Sequence, residues 1–329
     1  MAIAEQAFSP KEWKVALVSD ASSAGDTGIG TTMLQLDVDS IGMPSLNPNQ
    51  VVDIRSGVGR TFKDEDFFQD NKMRVAEISL SGTMHLDAGH KLLLQNICND
   101  VSTDISVATG FTPASQIYGA SLTNVASSLT LVMQPSDVTN QQGMEFFGCV
   151  VTSFTLSADA TTEGGRYKFS ATLQTGKVPD LASTAEPTIT PYANTTDVFL
   201  SSASGIKVFG TDSIMQSFST TIENPAVFTG FSSTGYQVVS RGAEIAVTAE
   251  STVKYDANTK GLINTFDTQT SALAGNSLVI TNNNAYGVLI DNAVLTDVSL
   301  NEGDIMMLNV AMKSVDDGTD ALITFDVSS

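Results

Sequence analysis

Residues 150–173 read Val150-Val151-Thr152-Ser153-Phe154-Thr155-Leu156, then a turn at Glu163-Gly164-Gly165, then Arg166-Tyr167-Lys168-Phe169-Ser170-Ala171-Thr172-Leu173. The last run has period two. Tyr167, Phe169, Ala171 and Leu173 share one face; Lys168, Ser170, Thr172 and Gln174 share the other. Successive side chains of a strand point to opposite faces, so this is a half-buried strand of a hairpin. Residues 289–312 repeat the arrangement: Leu289 to Leu295, a turn at Glu302-Gly303-Asp304, then Ile305 to Met312. Met306, Leu308, Val310 and Met312 supply its apolar face. A constant offset sets Gly303 on Gly164. The first strand of this second hairpin fits either parity, so its register stays open here.

Working outward, Glu77-Ile78-Ser79-Leu80-Ser81 is echoed by Glu244-Ile245-Ala246-Val247-Thr248. Each runs into a short helical pattern, Asp87 to Cys98 and Asp256 to Phe266. Asp87 and Asp256 suit the N-cap position. Leu93, Leu94 and Ile97 form one apolar stripe, and Leu262, Ile263 and Phe266 its counterpart. Leu129-Thr130-Leu131-Val132 resembles Leu278-Val279-Ile280-Thr281, and Met33-Leu34-Gln35 resembles Ile214-Met215-Gln216. Four echoes in one order point to an internal duplication. The expected organisation is an N-terminal arm (1–30), a first domain (31–177), a linker (178–198) holding Pro179, Pro187 and Pro191, a second domain (199–315) and a C-terminal arm (316–329). The Trp13–Val18 and Ala321–Phe325 runs are candidates to reach a neighbouring molecule.

Composition bounds the function. A chain of 329 residues with 42 % hydrophobic and only 16 % charged residues can bury a core. Asp and Glu number 36 against 16 Lys and Arg, a formal charge of −20. Residues 1–176 hold 10 basic and 19 acidic groups; residues 177–329 hold 6 and 17. The acid is spread through both halves, which excludes nucleic-acid binding by phosphate neutralisation. Cys98 and Cys149 sit in apolar runs and read as buried free thiols. No run approaches the roughly 18 apolar residues of a spanning helix, and Met1-Ala2-Ile3-Ala4-Glu5 lacks the character of a signal peptide. The expectation is a soluble protein made in a reducing cytoplasm, without a membrane.

The run Phe147 to Leu156 with its Glu163-Gly164-Gly165 turn resembles the tail tube proteins of long-tailed bacteriophages. So do Met215 to Asn224 with Ser240-Arg241-Gly242-Ala243-Glu244-Ile245, and Gly287 to Asn292. The resemblance implies a mainly β fold of two tandem tail-tube domains, each a β-sandwich flanked by one α-helix. It implies a virion tail protein synthesised in the host cytoplasm and no enzyme. Three copies would close a pseudo-hexameric ring, and rings would stack into a tube for DNA ejection. Implied partners are further copies of the chain, a tape-measure protein in the lumen, tail terminator and baseplate or tip proteins, and genomic DNA passing without specific binding. The alternative is a capsid, decoration or adhesin β-protein that forms no tube.

Catalytic and metal chemistry find little support. His85 and His90 flank the first helix start and read as surface histidines. Gly25 to Thr32 has glycines but holds Thr31 where a phosphate loop needs lysine. Asp297, Asn301, Glu302 and Asp304 read as turn chemistry rather than a calcium site. No metal, cofactor or catalytic residue is expected. The segment 53–74 is distinctive. Arg55, Arg60, Lys63, Lys72 and Arg74 balance Asp53, Asp64, Glu65, Asp66 and Asp70, with Phe62, Phe67 and Phe68 among them. Aromatic anchors with paired charges suit a loop that docks on the neighbouring ring. The matching excursion, Pro225–Ser240, is shorter and uncharged apart from its flanks.

Overall fold

The structure is a computed structural model that describes residues 12–20, 32–42, 49–52, 67–70, 76–85, 87–98, 109–110, 128–135, 143–177, 179–183, 186–192, 198–231, 237–241, 244–282, 287–317 and 321–326. In chain order the first half contains β1 (Lys14–Ser19), β2 (Met33–Leu36), β3 (Ser40–Gly42), β4 (Asn49–Val52), β5 (Phe67–Asp70), β6 (Ala76–Thr83), α1 (Ala88–Cys98), β7 (Thr109–Gly110), β8 (Leu129–Gln134), β9 (Gly143–Asp159), β10 (Lys168–Thr175), β11 (Asp180–Ser183) and β12 (Ile189–Thr190). The second half contains β13 (Ala203–Val208), β14 (Thr211–Asp212), β15 (Met215–Glu223), β16 (Ala226–Phe231), β17 (Gln237–Arg241), β18 (Ala246–Lys254), α2 (Gly261–Thr268), β19 (Leu278–Asn282), β20 (Gly287–Ile290), β21 (Ala293–Asn301), β22 (Met307–Ser314) and β23 (Thr324–Asp326). The protein is mainly β, as the alternating runs require.

One antiparallel sheet runs through both halves in the order β3-β6-β10-β9-β15-β18-β22-β21. Strand β9 is shared. Its first part pairs with β8 and β11 in an outer sheet, and its second part pairs with β10 and β15. The outer sheet of the first half continues through β1 and β2 to β12. A second outer sheet has the order β14-β13-β19-β20-β23-β7. Ile78, Phe154, Phe169, Leu173, Phe218, Ile222, Val253 and Val310 face the outer layers and helices and are buried in one core. The fold is therefore sandwich-like, and among the described residues no second layer covers the other face of the long sheet.

Local chemistry explains the corners. Glu163, Gly164 and Gly165 all have positive φ, at 49°, 69° and 78°, and a Cβ on Gly165 would come within 2.9 Å of Leu200 Cβ. The Gly-Gly pair makes that tight turn possible. Asp87 accepts the His90 N–H at 3.2 Å and caps α1 as expected. Asp256 accepts the N–H groups of Asn258 and Thr259, but in the turn that precedes α2. Leu93, Leu94 and Ile97 are buried; in α2 only Leu262 is, and Phe266 is exposed.

Several expectations change. The constant offset between the two hairpins fails for their first strands. The extra residue of the β-bulge is Thr152 in β9, opposite the step from Thr172 to Leu173; in β21 it is Thr296, opposite the step from Ala311 to Met312. The second strands keep the expected correspondence, but Leu289 and Ile290 belong to β20 in an outer sheet. The 302–306 turn is shorter than the 160–167 turn, so Gly164 and Gly303 do not correspond. Met33 to Gln35 lies in an outer sheet, whereas Met215 and Gln216 begin β15 of the long sheet. Lys14–Ser19, placed in an N-terminal arm, pairs on both sides within the chain, and Thr324–Asp326 pairs with β20 and β7. Val15, Ala16 and Leu17 are all buried, so a central strand is the place that satisfies them. Both excursions are separate two-stranded hairpins, β4 with β5 and β16 with β17.

Candidate assembly surfaces

Alternation makes the open face predominantly polar. One row runs Ser40, Ser81, Ser170, Thr155, Thr221, Thr248, Lys313, Val294 across all eight strands. The Thr155 and Thr221 hydroxyls hydrogen-bond each other at 2.9 Å. The face holds Glu77, Asp159, Glu223, Glu250 and Asp297 against Lys168, Lys254 and Lys313, an excess of acid. Lys168 is further engaged by Asp39 and Glu163, each at 3.2 Å. Partial burial works against its cation, but those two carboxylates hold its pKa above the ordinary lysine value. The face is dished: a trough of about 680 Å³ lies over it, lined by Asp159, Lys168, Glu250, Asp297 and Asn309 among others. Short hydroxyls and dispersed carboxylates make this face polar, and among the described residues no nucleophile–base pair is positioned on it.

The seam between the halves is chemically specific. Arg241, the last residue of β17, donates to the carbonyls of Asn224 (2.8 Å) and Asn96 (3.0 Å) and to Asn96 Oδ1 (2.9 Å). Asn224 Nδ2 donates to the carbonyl of Ile97 at 3.0 Å, and Asn96 Oδ1 also accepts the Val151 N–H at 2.7 Å. Asn96 and Ile97 end α1, so second-half side chains satisfy carbonyls that a helix C-terminus leaves unpaired. Burial lowers the Arg241 pKa to about 10, still far above neutrality, and the group stays a cation. Sequence reasoning passed over this cluster. Its one signal is an arginine in a half that holds few cations.

His85 and His90 correct the surface expectation: both are buried. His85 Nε2 meets Asp37 Oδ2 at 2.8 Å, His90 Nδ1 meets Asp87 Oδ1 at 2.7 Å, and the two rings lie 5.3 Å apart. Tyr192 stacks on His85 and Phe169 packs edge-on to His90. Burial alone would raise the Asp87 carboxyl, but the hydrogen bond and charge of His90 outweigh it and hold the pKa below the usual range. Two histidines five residues apart with a carboxylate between them looked solvated because nothing local shows that Tyr192 stacks on one and Phe169 packs on the other. Among the described residues no three His, Cys, Asp or Glu side chains gather as a metal site. Cys98 and Cys149 are buried free thiols, and burial raises the Cys149 pKa.

Of the expected docking-loop residues, Phe67 and Phe68 lie on β5, paired with Val52 and Val51. Arg55, Arg60, Phe62, Lys63, Asp64, Glu65, Asp66, Lys72 and Arg74 lie outside the described residues, as does the run from Gly25 to Thr32 except for Thr32 itself. Apolar side chains are exposed at one end of the long sheet: Ile214 at 62 %, Ile305 at 65 %, with Met306 and Leu300 nearby. No helix among the described residues is long and apolar enough to cross a membrane.

A long antiparallel sheet with one polar open face, a packed back and exposed apolar groups at its margin defines a structural β-protein. The phage tail tube protein family model matches residues 21–327, and the chain belongs to that family. It is thus a structural component of the virion tail that self-assembles into the tail tube. Comparison with curated proteins gives no match.

Proposed function

We propose that the chain is two copies of one tube domain, that three chains close a ring, and that stacked rings form an acidic channel for DNA ejection. The observation that carries this reading is the strand order of the long sheet. The sets β3-β6-β10-β9 and β15-β18-β22-β21 follow each other with the same internal sequence of pairings, and β9 joins β15 where one set meets the next. Each set has a bulge on its last strand at the same place relative to its neighbour. A side-chain carbonyl near the helix end accepts the N–H just before each bulge: Asn96 for Val151, Gln269 for Leu295.

The pairing registers also supply stagger, one residue of it from the bulge in β21. The row through Thr155 reaches β21 at Val294, while Ser299 is the counterpart of Thr155 when the bulges are matched. Between those two residues the opposite strand moves from Lys313 to Asn309. Closing a sheet into a barrel requires such a shift between successive strand sets. In the barrel the open face looks inward. Its hydroxyls stay hydrated, and its carboxylates repel a polyanion that carries a charge about every 1.7 Å of axis. Rings close through a heterologous contact, which also removes sheet edges. The 53–74 segment joins ring to ring, a tape-measure protein fills the lumen during assembly, and terminator and baseplate or tip proteins bind the ends. Synthesis takes place in the host cytoplasm.

Electron cryo-microscopy of the purified protein tests this. Three-chain rings with the long sheet lining an acidic lumen are expected. Assemblies whose channel is basic, or whose long sheet faces outward, would overturn it.

A further inference from the structure

We infer a register for the contact between neighbouring copies: Asn301 of one copy stands opposite Gly42 of the next, as Ser157 stands opposite Ser219 within the chain. This rests on the ring reading above and adds which residues meet.

Among the described residues the long sheet has two outer strands, β3 and β21. Among the described residues, the far side of β21 is engaged at its start alone. Leu273 exchanges backbone hydrogen bonds with Ala293, and Gln269 accepts the Leu295 N–H. From Asp297 to Asn301 that side carries no described strand. The same division exists on β9. Asn96 takes the Val151 N–H before the bulge, and β15 pairs from Ser153 onward. The internal junction is therefore a template for the external one, anchored on the bulges.

Matching bulge to bulge sets Ser153 on Asp297, Leu156 on Leu300 and Ser157 on Asn301. On the next strands it sets Leu173 on Met312, hence Ile78 on Ala249. Ile78 and Ala249 then fix the facing strand, and Ile41 and Gly42 take the places of Phe218 and Ser219. Within the chain Ser157 pairs with Ser219. The corresponding external pair is Asn301 with Gly42.

Exposure agrees with a missing neighbour at this edge. Leu156 is fully buried beside β15, whereas Leu300 is 44 % exposed although its parity points it to the core side. Ile97 at the end of α1 lies beneath Asn224, whereas Phe266 near the end of α2 is 38 % exposed. The second half covers the first, and a second copy would cover the second half in the same way. Leaving a nine-residue strand with such an edge exposed invites pairing with another chain.

The test is a double-cysteine full-length chain, Asn301→Cys with Gly42→Cys, oxidised after assembly. Directly opposed strand residues approach closely enough for a disulfide. Covalent dimers and trimers are expected on a non-reducing gel, with neither single variant linking. The pair Asn301→Cys with Ser40→Cys, two residues out of register, should link far less. A stronger link in that second pair, or assembled tubes with no link in the first, overturns the register while leaving the ring reading intact. A wild-type chain that forms no rings removes the ring reading itself. A Cβ at Gly42 meets Ser79 Cβ at 3.2 Å, so the cysteine there is tight. A photo-crosslinking residue at Asn301 alone gives a second reading. Its adduct should map to 40–42 of another copy, and an adduct elsewhere overturns the register.

Discussion

Arg241 Nη2 donates to the backbone carbonyl of Asn96 at 3.0 Å, so a cation from the second half caps the helix of the first. Replacing it with methionine keeps the apolar stem but leaves the carbonyls of Asn96 and Asn224 without this donor. The expected loss is about 1–3 kcal/mol for the charge-assisted hydrogen bonds removed. Urea unfolding with separate probes in each half should show the first half loosening relative to the second.

Glu145 gives a pH signature. Burial raises its pKa, the hydrogen bond from Ser183 (2.6 Å) opposes this, and the nearby Asp180 charge adds to the rise. A carboxyl whose folded pKa exceeds its unfolded value favours the folded state when protonated. That stabilisation is complete below the unfolded pKa and is lost as pH rises through the folded one. Glu145→Gln should therefore raise the melting temperature at pH 7, by roughly 1–2 °C per kcal/mol for a chain of this size. The gain should vanish near pH 4. A melting temperature equally raised at both pH values would assign the gain to packing instead.

Leu156 and Leu300 occupy matched places but differ in cover. Leu156→Ala should cost about 2–5 kcal/mol in the unassembled chain, the range for a buried leucine. Leu300→Ala should cost under about 1 kcal/mol there, yet raise the concentration needed for assembly. Chemical denaturation and light scattering separate the two effects.

Glu250→Lys with Asp297→Lys reverses two carboxylates on the open face. Tubes of the variant should retain DNA with a steep salt dependence, and wild-type tubes should not. Equal retention by both would place this face away from the DNA path.

Deleting 53–74 should leave folded domains and rings but abolish stacking. Circular dichroism and negative-stain microscopy check the two halves of that statement, and normal tubes from the deletion would refute the docking role.

Much of the fold was legible because strand chemistry is local. The alternation of Tyr167, Phe169, Ala171 and Leu173 announces its buried face without any partner, and all four are buried. Asp87 announces the start of α1 because capping spans three residues. The register of the first strand in the second hairpin was not legible. The run Leu289 to Leu295, with apolar pairs on both sides of Asp291-Asn292, fits either face, and the bulge at Thr296 that sets the frame exists only through pairing with β22. The candidate assembly surfaces divide in the same way. The polar parity of Ser170, Thr155 and Thr221 can be read along each strand, but their alignment into one row depends on strand neighbours far apart in sequence.

The sequence by itself determined a mainly β chain with repeated strand and helix patterns, a strong acid excess and free thiols in apolar runs. These follow from composition and short-range periodicity. Only the tertiary structure decided that β9 joins β15 across the halves, that Arg241 caps α1, that the histidines are buried and that β1 and β23 pair within the chain. Hydrogen bonds between distant segments carry no local pattern. A strand bears the same alternation whether its edge is paired or open, and the fold alone says which strands lie outermost in the sheet.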